Sequence, residues 1–165
     1  MNDSVKWEIR DLQPEEQPLL RDFLYEAVYR REDQPPYPRE IIDKPAVRVY
    51  IEGWGRPDDI CLAAHADGGM AGAVWTRVMT GDAKGFGYVD DETPELAIAL
   101  YKPCRGQGLG TALMTAMIDR LTKAGYSRVS LSVSKENPAC RLYTRLGFEV
   151  ANEDEKDYLM VLELG

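Results

Sequence analysis

The residue order predicts an α/β domain with one mixed sheet and helices packed on its faces. Three observations carry that expectation. Segments with the two-residue period of half-buried strands alternate with segments of helical period along the whole chain. A short apolar strand at 95–101 passes through a glycine-rich turn straight into the clearest helix of the sequence. The 165 residues, 44% hydrophobic and 29% charged, suffice for one core and leave no room for a second. A single domain over residues 1–165 is therefore expected.

The elements follow in order. Residues 6–12 alternate in strand fashion around Trp7 and Ile9. Gln13-Pro14-Glu15-Glu16 is a helix start, and 15–31 places Leu19, Leu20, Phe23, Leu24, Ala27 and Val28 on one stripe. Gln34-Pro35-Pro36-Tyr37-Pro38 must be a loop. Residues 41–54 read as a second helix weakened by Pro45, although 47–51 would also suit a strand. Residues 60–66 and 70–80, joined at Asp67-Gly68-Gly69, read as a β-hairpin. A glycine-rich loop spans 81–93, and 95–101 is the next strand. Residues 109–124 form the clearest helix, with Leu113, Ala116, Met117, Leu121 and Ala124 in helical spacing and Gly125 as its stop. A strand at 129–133, a helix at 138–146 and closing strands at 148–151 and 158–164 complete the order β-α-α-β-β-β-α-β-α-β-β.

Composition excludes several classes of function. The net charge of −8 argues against a nucleic-acid partner, which needs a basic face. Its distribution is uneven. Residues 101–150 carry eight basic side chains against three acidic ones, which leaves −13 on the other 115 residues. One segment suits a polyanion and the remainder a cation. Cys61, Cys104 and Cys140 are odd in number and irregularly spaced, and His65 is the sole histidine, so neither a zinc site nor a disulfide framework is expected. No run of about 18 apolar residues occurs and the polar N-terminus has no apolar export segment, so no membrane partner and a cytoplasmic location are expected.

The chemistry lies in Arg105-Gly106-Gln107-Gly108-Leu109-Gly110, set between a strand and a helix. A helix N-terminus presents unpaired N–H groups and the positive end of the macrodipole, and glycines let phosphate oxygens approach the main chain. Two familiar phosphate loops fail. The dinucleotide pattern from Gly106 needs a glycine where Thr111 stands, and the Walker pattern's Gly-Lys-Ser/Thr triplet is absent. What remains, Arg105, Gly108 and Gly110, resembles the Arg/Gln-x-x-Gly-x-Gly/Ala element of the GNAT acetyltransferase superfamily. A second element, Asn137-Pro138-Ala139-Cys140-Arg141-Leu142-Tyr143 followed by Leu146-Gly147-Phe148, is similar to that family's Asn-x-x-Ala/Ser-x-x-x-Tyr…Gly-Phe region. The two occur in the family's order, separated by a helix and a strand.

The resemblance implies a mostly antiparallel sheet whose central parallel strands, 95–101 and 129–133, splay apart, and acetyl-CoA as acetyl donor without a metal. N–H groups from Gln107 to Thr111, including those of Gly108, Leu109 and Gly110, would hold the pyrophosphate, with Gly106 in the turn and Arg105 adding positive charge. The pantetheine arm would pair with the backbone of Ile98, Ala99 and Leu100, where an N–H could also polarise the acetyl carbonyl. Asn137 reads as a helix N-cap before Pro138, and the family adds a contact to the cofactor arm. Tyr143 would hydrogen-bond the departing sulfur and, second, protonate it. A thiol near 8.5 and a tyrosine near 10 make full proton transfer uphill by roughly 2 kcal/mol, so hydrogen bonding ranks first.

An acceptor amine of pKa near 10.4 is neutral in about one molecule in 2,500 at pH 7, so a base is needed. Glu95, at the start of the cofactor strand, is the candidate base or anchor of a water relay; its other reading is a solvated strand-end carboxylate. Asp90, Asp91 and Glu92 could attract a cationic acceptor. His65 reads as structural, and Cys140 lacks a histidine partner for covalent catalysis. Tyr25, Tyr29, Tyr37, Tyr50, Trp54 and Trp75 are either acceptor-pocket walls or core. The expected activity is direct acetyl transfer to a primary amine of a small cationic metabolite. A protein amine, lysine or N-terminal, is the alternative acceptor, and a non-catalytic acyl-CoA sensor is the rival of another class. Dimerisation is common in the family, which makes a second copy of the chain a candidate partner.

Overall fold

A computed structural model describes residues 7–67, 69–81 and 84–165. Seven strands form one sheet in the order β1-β2-β3-β4-β5-β7-β6. The strands are β1 (Glu8–Asp11), β2 (Ile60–Ala66), β3 (Gly69–Arg77), β4 (Glu95–Leu100), β5 (Arg128–Ser134), β6 (Glu149–Glu153) and β7 (Asp157–Glu163). Every neighbouring pair is antiparallel except β4 and β5, which run parallel at the centre. The α/β class and the mixed sheet are as expected. Lys6 of the first expected strand, Gly68 of the hairpin turn, and residues 82 and 83 of the glycine-rich loop lie outside the described residues.

The α-helices of the described residues are α1 (Leu20–Ala27), α2 (Pro45–Arg48), α3 (Leu109–Lys123) and α4 (Ala139–Arg145). Period-two alternation in the strands sends side chains to two separate cores. On one face, Leu109, Leu113, Met114, Met117 and Leu121 of α3 pack with Leu96 of β4, Val129, Leu131 and Val133 of β5, and Tyr143 of α4. On the other, Leu20, Phe23 and Leu24 of α1 pack with Ile42, Trp75 of β3 and Ala99 of β4. Helices on both faces are thereby as expected.

The two expected N-terminal helices are corrected, and proline is the reason in each. Residues 14–19 form a 3-10 helix (Pro14–Leu19) containing Pro18, which has no N–H to donate, and the α ladder starts only at Leu20. It ends at Ala27, with Val28 extended, four residues before the predicted stop at 31. The predicted helix over 41–54 is a 3-10 turn (Arg39–Asp43), then the single-turn α2, then turns to Gly53. Lys44 between them is extended at φ −65° and ψ 134°, the conformation that a following proline imposes. The alternative strand over 47–51 does not form. From β2 onward the boundaries agree within one to three residues.

Candidate active site

The sheet opens at its centre. β4 pairs with β3 along its full length from Glu95 to Leu100, but meets β5 at one rung, Glu95 opposite Ser130, supported by Ser130 N–H to Pro94 O at 3.0 Å. Beyond that rung the strands part. The gap is a cleft of about 640 Å³, walled by Leu96, Ala97 and Ile98 on one side and by 131–134 on the other. The Ser-Leu-Ser-Val-Ser sequence of β5 explains its two faces: Leu131 and Val133 enter the α3 core, while Ser132 and Ser134 face the open side.

Glu95 stands at the closed end of the gap and is 3% exposed, so the solvated strand-end reading does not hold. Its Oε2 accepts a hydrogen bond from the Tyr50 hydroxyl and another from the Gly87 N–H at 3.0 Å. Its Oε1 is buried and has no protein partner among the described residues. Burial pushes its pKa up to about 7, against the opposing effect of the Tyr50 and Gly87 hydrogen bonds. Tyr50, raised well above the usual tyrosine range by burial and then by the neighbouring carboxylate, stays protonated as donor. The loop before β4 must be small to reach this carboxyl. A Cβ on Gly87 would lie 2.8 Å from the Leu131 carbonyl carbon and 3.0 Å from Glu95 Oε2, and one on Gly85 would collide with Glu95 Oε1. Ser130 Oγ donates to Gly87 O at 2.6 Å and closes the arrangement from β5.

Tyr143, on α4, is 6% exposed and lines the same cleft, with its ring edge-on to Phe148 at 5.9 Å. Burial keeps its hydroxyl protonated far above neutral pH. Asn137 also lines the cleft, and its Oδ1 accepts the Ala139 N–H at 2.9 Å, although it stands one residue before Pro138, which is the N-cap of α4 in place of the expected Asn137. Cys140 donates its thiol to Ser134 O at 3.4 Å and burial raises its pKa, the reverse of what a nucleophilic thiolate needs.

The glycine-rich turn follows β4. Gly106 has φ +74° and Gly108 φ +86°, left-handed conformations that favour glycine, and Gly108 is the residue from which α3 starts. The N–H groups of Gly106, Gln107 and Gly108 find no protein acceptor among the described residues, and those of Leu109, Gly110 and Thr111 belong to the first helical turn, where no intrahelical acceptor exists. Leu109 anchors the turn in the core, and a Cβ on Gly110 would come within 3.3 Å of Leu142 Cδ2, so this helix start packs closely against α4. The Gln107 amide donates to Pro103 O at 3.0 Å. Arg105 donates Nε to Leu100 O at 3.0 Å and pairs with Glu26 of α1 at 3.3 Å. The result is an exposed cradle of backbone donors beyond the end of β4.

Glu95, Ile98, Asn137 and Tyr143 thus share one cleft. Ala99 instead turns its side chain into the α1 core and is 2% exposed, and the Leu100 carbonyl is held by Arg105. Two of the three loop carboxylates are already engaged: Asp90 pairs with Arg128 and Asp91 accepts from the Tyr88 hydroxyl. His65 lies against Glu16 Oε2 at 2.8 Å and Arg10 Nη2 at 3.1 Å, an arrangement between β1, β2 and the 3-10 turn, away from the cleft. Sequence reasoning weighed Tyr50 only as pocket wall or core and passed over Gly85 and Gly87. The two glycines eight and ten residues before Glu95 were the available signal. Among the described residues no group of three or more His, Cys, Asp or Glu side chains is placed to hold a metal ion, and no helix is long and apolar enough to cross a membrane.

A splayed parallel pair beside a helix-starting glycine cradle defines an acyl-CoA-type transferase fold, and the comparisons agree. The family model described as "Acetyltransferase (GNAT) family" matches residues 22–148, and the chain belongs to that family. Mycothiol acetyltransferase of Corynebacterium aurimucosum is 35% identical over 107 residues, 61% of this chain and 33% of that protein. The chain spans about a third of the length of the curated relatives it matches. Among solved structures, the ribosomal-protein-S18-alanine N-acetyltransferase of Escherichia coli aligns with TM-score 0.67 and 22% identity over 97% of this chain and 95% of that one. The PaiA N-acetyltransferase of Thermoplasma acidophilum, in complex with coenzyme A, aligns with TM-score 0.68 and 20% identity over 96% and 99%. At those identities the likeness is one of fold.

Proposed function

We propose that the protein is an N-acetyltransferase that moves the acetyl group of acetyl-CoA directly to the primary amine of a small molecule. The observation that carries this reading is Glu95: a buried carboxyl at the closed end of the cleft that Tyr143 also lines, with one oxygen lacking a hydrogen-bond partner among the described residues. The residues fit the donor. The backbone N–H groups from Gly106 to Thr111 form the cradle for its pyrophosphate, and the unpaired margin of β4 around Ile98 borders a gap wide enough for an extended arm. When bound, acetyl-CoA supplies an acetyl group activated as a thioester.

The chain's own residues then divide the work. Glu95 Oε1 accepts the proton that the amine must lose, and a pKa near 7 matches a base working near neutral pH. The Tyr143 hydroxyl, held neutral by burial, donates a hydrogen bond to the sulfur as negative charge develops there. Its high pKa makes it a hydrogen-bond donor in preference to a proton donor. On this reading, backbone N–H groups of β4 at the margin of the gap would serve the acetyl oxygen.

The acceptor side of the cleft is bridged. Tyr29 donates to Glu136 O at 3.1 Å, Arg31 lies 3.5 Å from Glu136 Oε1, and Tyr37 donates to Tyr29 O at 3.3 Å, so the segment after α1 is tied to the segment after β5. A bounded cleft favours a small amine over a protein segment, and the acidic remainder of the chain favours a cationic one. The test is thiol release from acetyl-CoA across polyamines, aminoglycosides, amino acids and short peptides, with Tyr143→Phe in parallel. We expect turnover with a small amine, lowered about 10- to 100-fold in the variant with acetyl-CoA affinity largely kept. Turnover confined to peptides would make the acceptor a protein, and tight donor binding without release for any amine would make the protein a sensor.

A further inference from the structure

The two oxygens of Glu95 are not equivalent. Oε2 is saturated by the Tyr50 hydroxyl and the Gly87 N–H, and Oε1, buried against Gly85, has no hydrogen-bond partner among the described residues. Tyr50 comes from a segment that belongs to no strand. Its place is set instead by donors from β3: the Trp75 indole to Tyr50 O at 3.2 Å, and Arg77 Nη1 to Val49 O at 2.9 Å and Glu52 O at 2.6 Å. Arg77 is itself clamped by Asp59, Nε to Oδ1 at 3.0 Å and Nη2 to Oδ2 at 2.8 Å, with side-chain exposures of 0% and 2%.

The register gives this clamp a second meaning. Arg77 is the cross-strand partner of Glu95, so both side chains leave the sheet on the same face. A free guanidinium there would pair with the carboxylate and hold it ionised and occupied. Asp59 and two carbonyls hold the guanidinium elsewhere. Tyr50 is the titratable group bonded to Glu95; Arg77 on β3 is held by Asp59, and Arg128, which leaves β5 on the same face as Ser130, is held by Asp90. The 85–87 loop and β5 meet Glu95 with backbone and with Ser130, whose hydroxyl is bound to Gly87 O.

We propose that Tyr50 is a positioning residue for the base, holding Glu95 by Oε2 so that Oε1 is the oxygen left to take up the acceptor's proton, and that Trp75 and the Arg77–Asp59 pair keep Tyr50 in that role. The proposal rests on Glu95 being the base. Its test is Tyr50→Phe, which keeps the ring and removes the donor. Two readouts apply: the Glu95 carboxyl titration followed by carbon-13 NMR on the protein without acetyl-CoA, and the pH profile of kcat/KM. A hydrogen bond to the ionised form lowers a carboxyl pKa, so its loss should raise the Glu95 midpoint by about one to two pH units. The acidic limb of the rate profile should move with it, lowering the rate at pH 7 about tenfold and recovering it at higher pH. Trp75→Phe should move both the same way by less. An unmoved midpoint in folded Tyr50→Phe overturns the proposal. Should that variant fail to fold, an unmoved midpoint in Trp75→Phe overturns it equally. Full activity in Glu95→Gln would instead remove the base assignment, an outcome that the NMR titration does not depend on.

Discussion

A carboxyl group taken out of water with no cation beside it resists ionisation, and Glu95 is kept in that condition by its 3% exposure and by the diversion of Arg77 to Asp59. The consequence reaches stability as well as the proposed chemistry. Its folded pKa of about 7 lies above the ordinary value of 4.5, so the stability linked to its protonation is fully present below about pH 4.5 and is lost as pH rises through 7. The shift corresponds to about 3 kcal/mol in order of magnitude. Thermal unfolding followed from pH 5 to 8 should therefore show wild type losing stability relative to Glu95→Gln, whose neutral amide has no charge to desolvate. Parallel curves for the two proteins would mean that Glu95 ionises as freely as in solvent.

Among the elements, the turn into α3 does its work through backbone conformation. Gly108 sits at φ +86° with nothing within 4 Å of where a Cβ would stand, so a side chain there meets conformational strain and the open space at the turn rather than the protein interior. Gly108→Val should cost about 1–2 kcal/mol of stability and weaken acetyl-CoA binding by at least about tenfold, read by urea unfolding and by calorimetric titration. Gly53, also left-handed at φ +63° with open space around it but remote from the turn, is the control. Gly53→Val should lose similar stability and keep its affinity. Normal acetyl-CoA binding by Gly108→Val would remove the cradle assignment. This turn was legible because strand, glycine pattern and helix are consecutive in the chain. The N-terminal helices were less so. Pro14, Pro18 and Pro45 were visible, but helical spacing of apolar residues persists through a 3-10 turn and a break, so the pattern overstated the regular length.

The molecule as a whole is a sheet with two cores, and the chemistry is divided between its faces. Tyr143 and the glycine turn belong to the α3 face, and Glu95, Tyr50 and the clamp belong to the α1 face, with the β4–β5 gap between them. Such a division predicts independence. Leu113→Ala, in the α3 core at 0% exposure, should destabilise by about 2–5 kcal/mol in urea. It should leave the Glu95 titration where it is, and its cost should add to that of Glu95→Gln within about 0.5 kcal/mol. A shifted titration would mean that the two cores are coupled through the sheet.

By itself the sequence determined the strand and helix order from β2 onward, the helix-starting glycine turn, the start of the last helix after Asn137 and, through its resemblance to the family's motifs, the presence of Glu95 and Tyr143 on and beside a parallel strand pair. These depend on period, turn chemistry and motifs within stretches of a few residues, where the information is local. Only the tertiary structure decided that Glu95 is buried rather than solvated and that Tyr50, 45 positions earlier, hydrogen-bonds its Oε2. Only the structure paired Arg77 with Asp59 rather than with the carboxylate across the strand, and tied Tyr29 to Glu136 over the cleft. Each of those contacts joins segments whose own sequences carry no mark of the partner, because long-range juxtaposition follows from how the sheet closes and packs, not from any local preference.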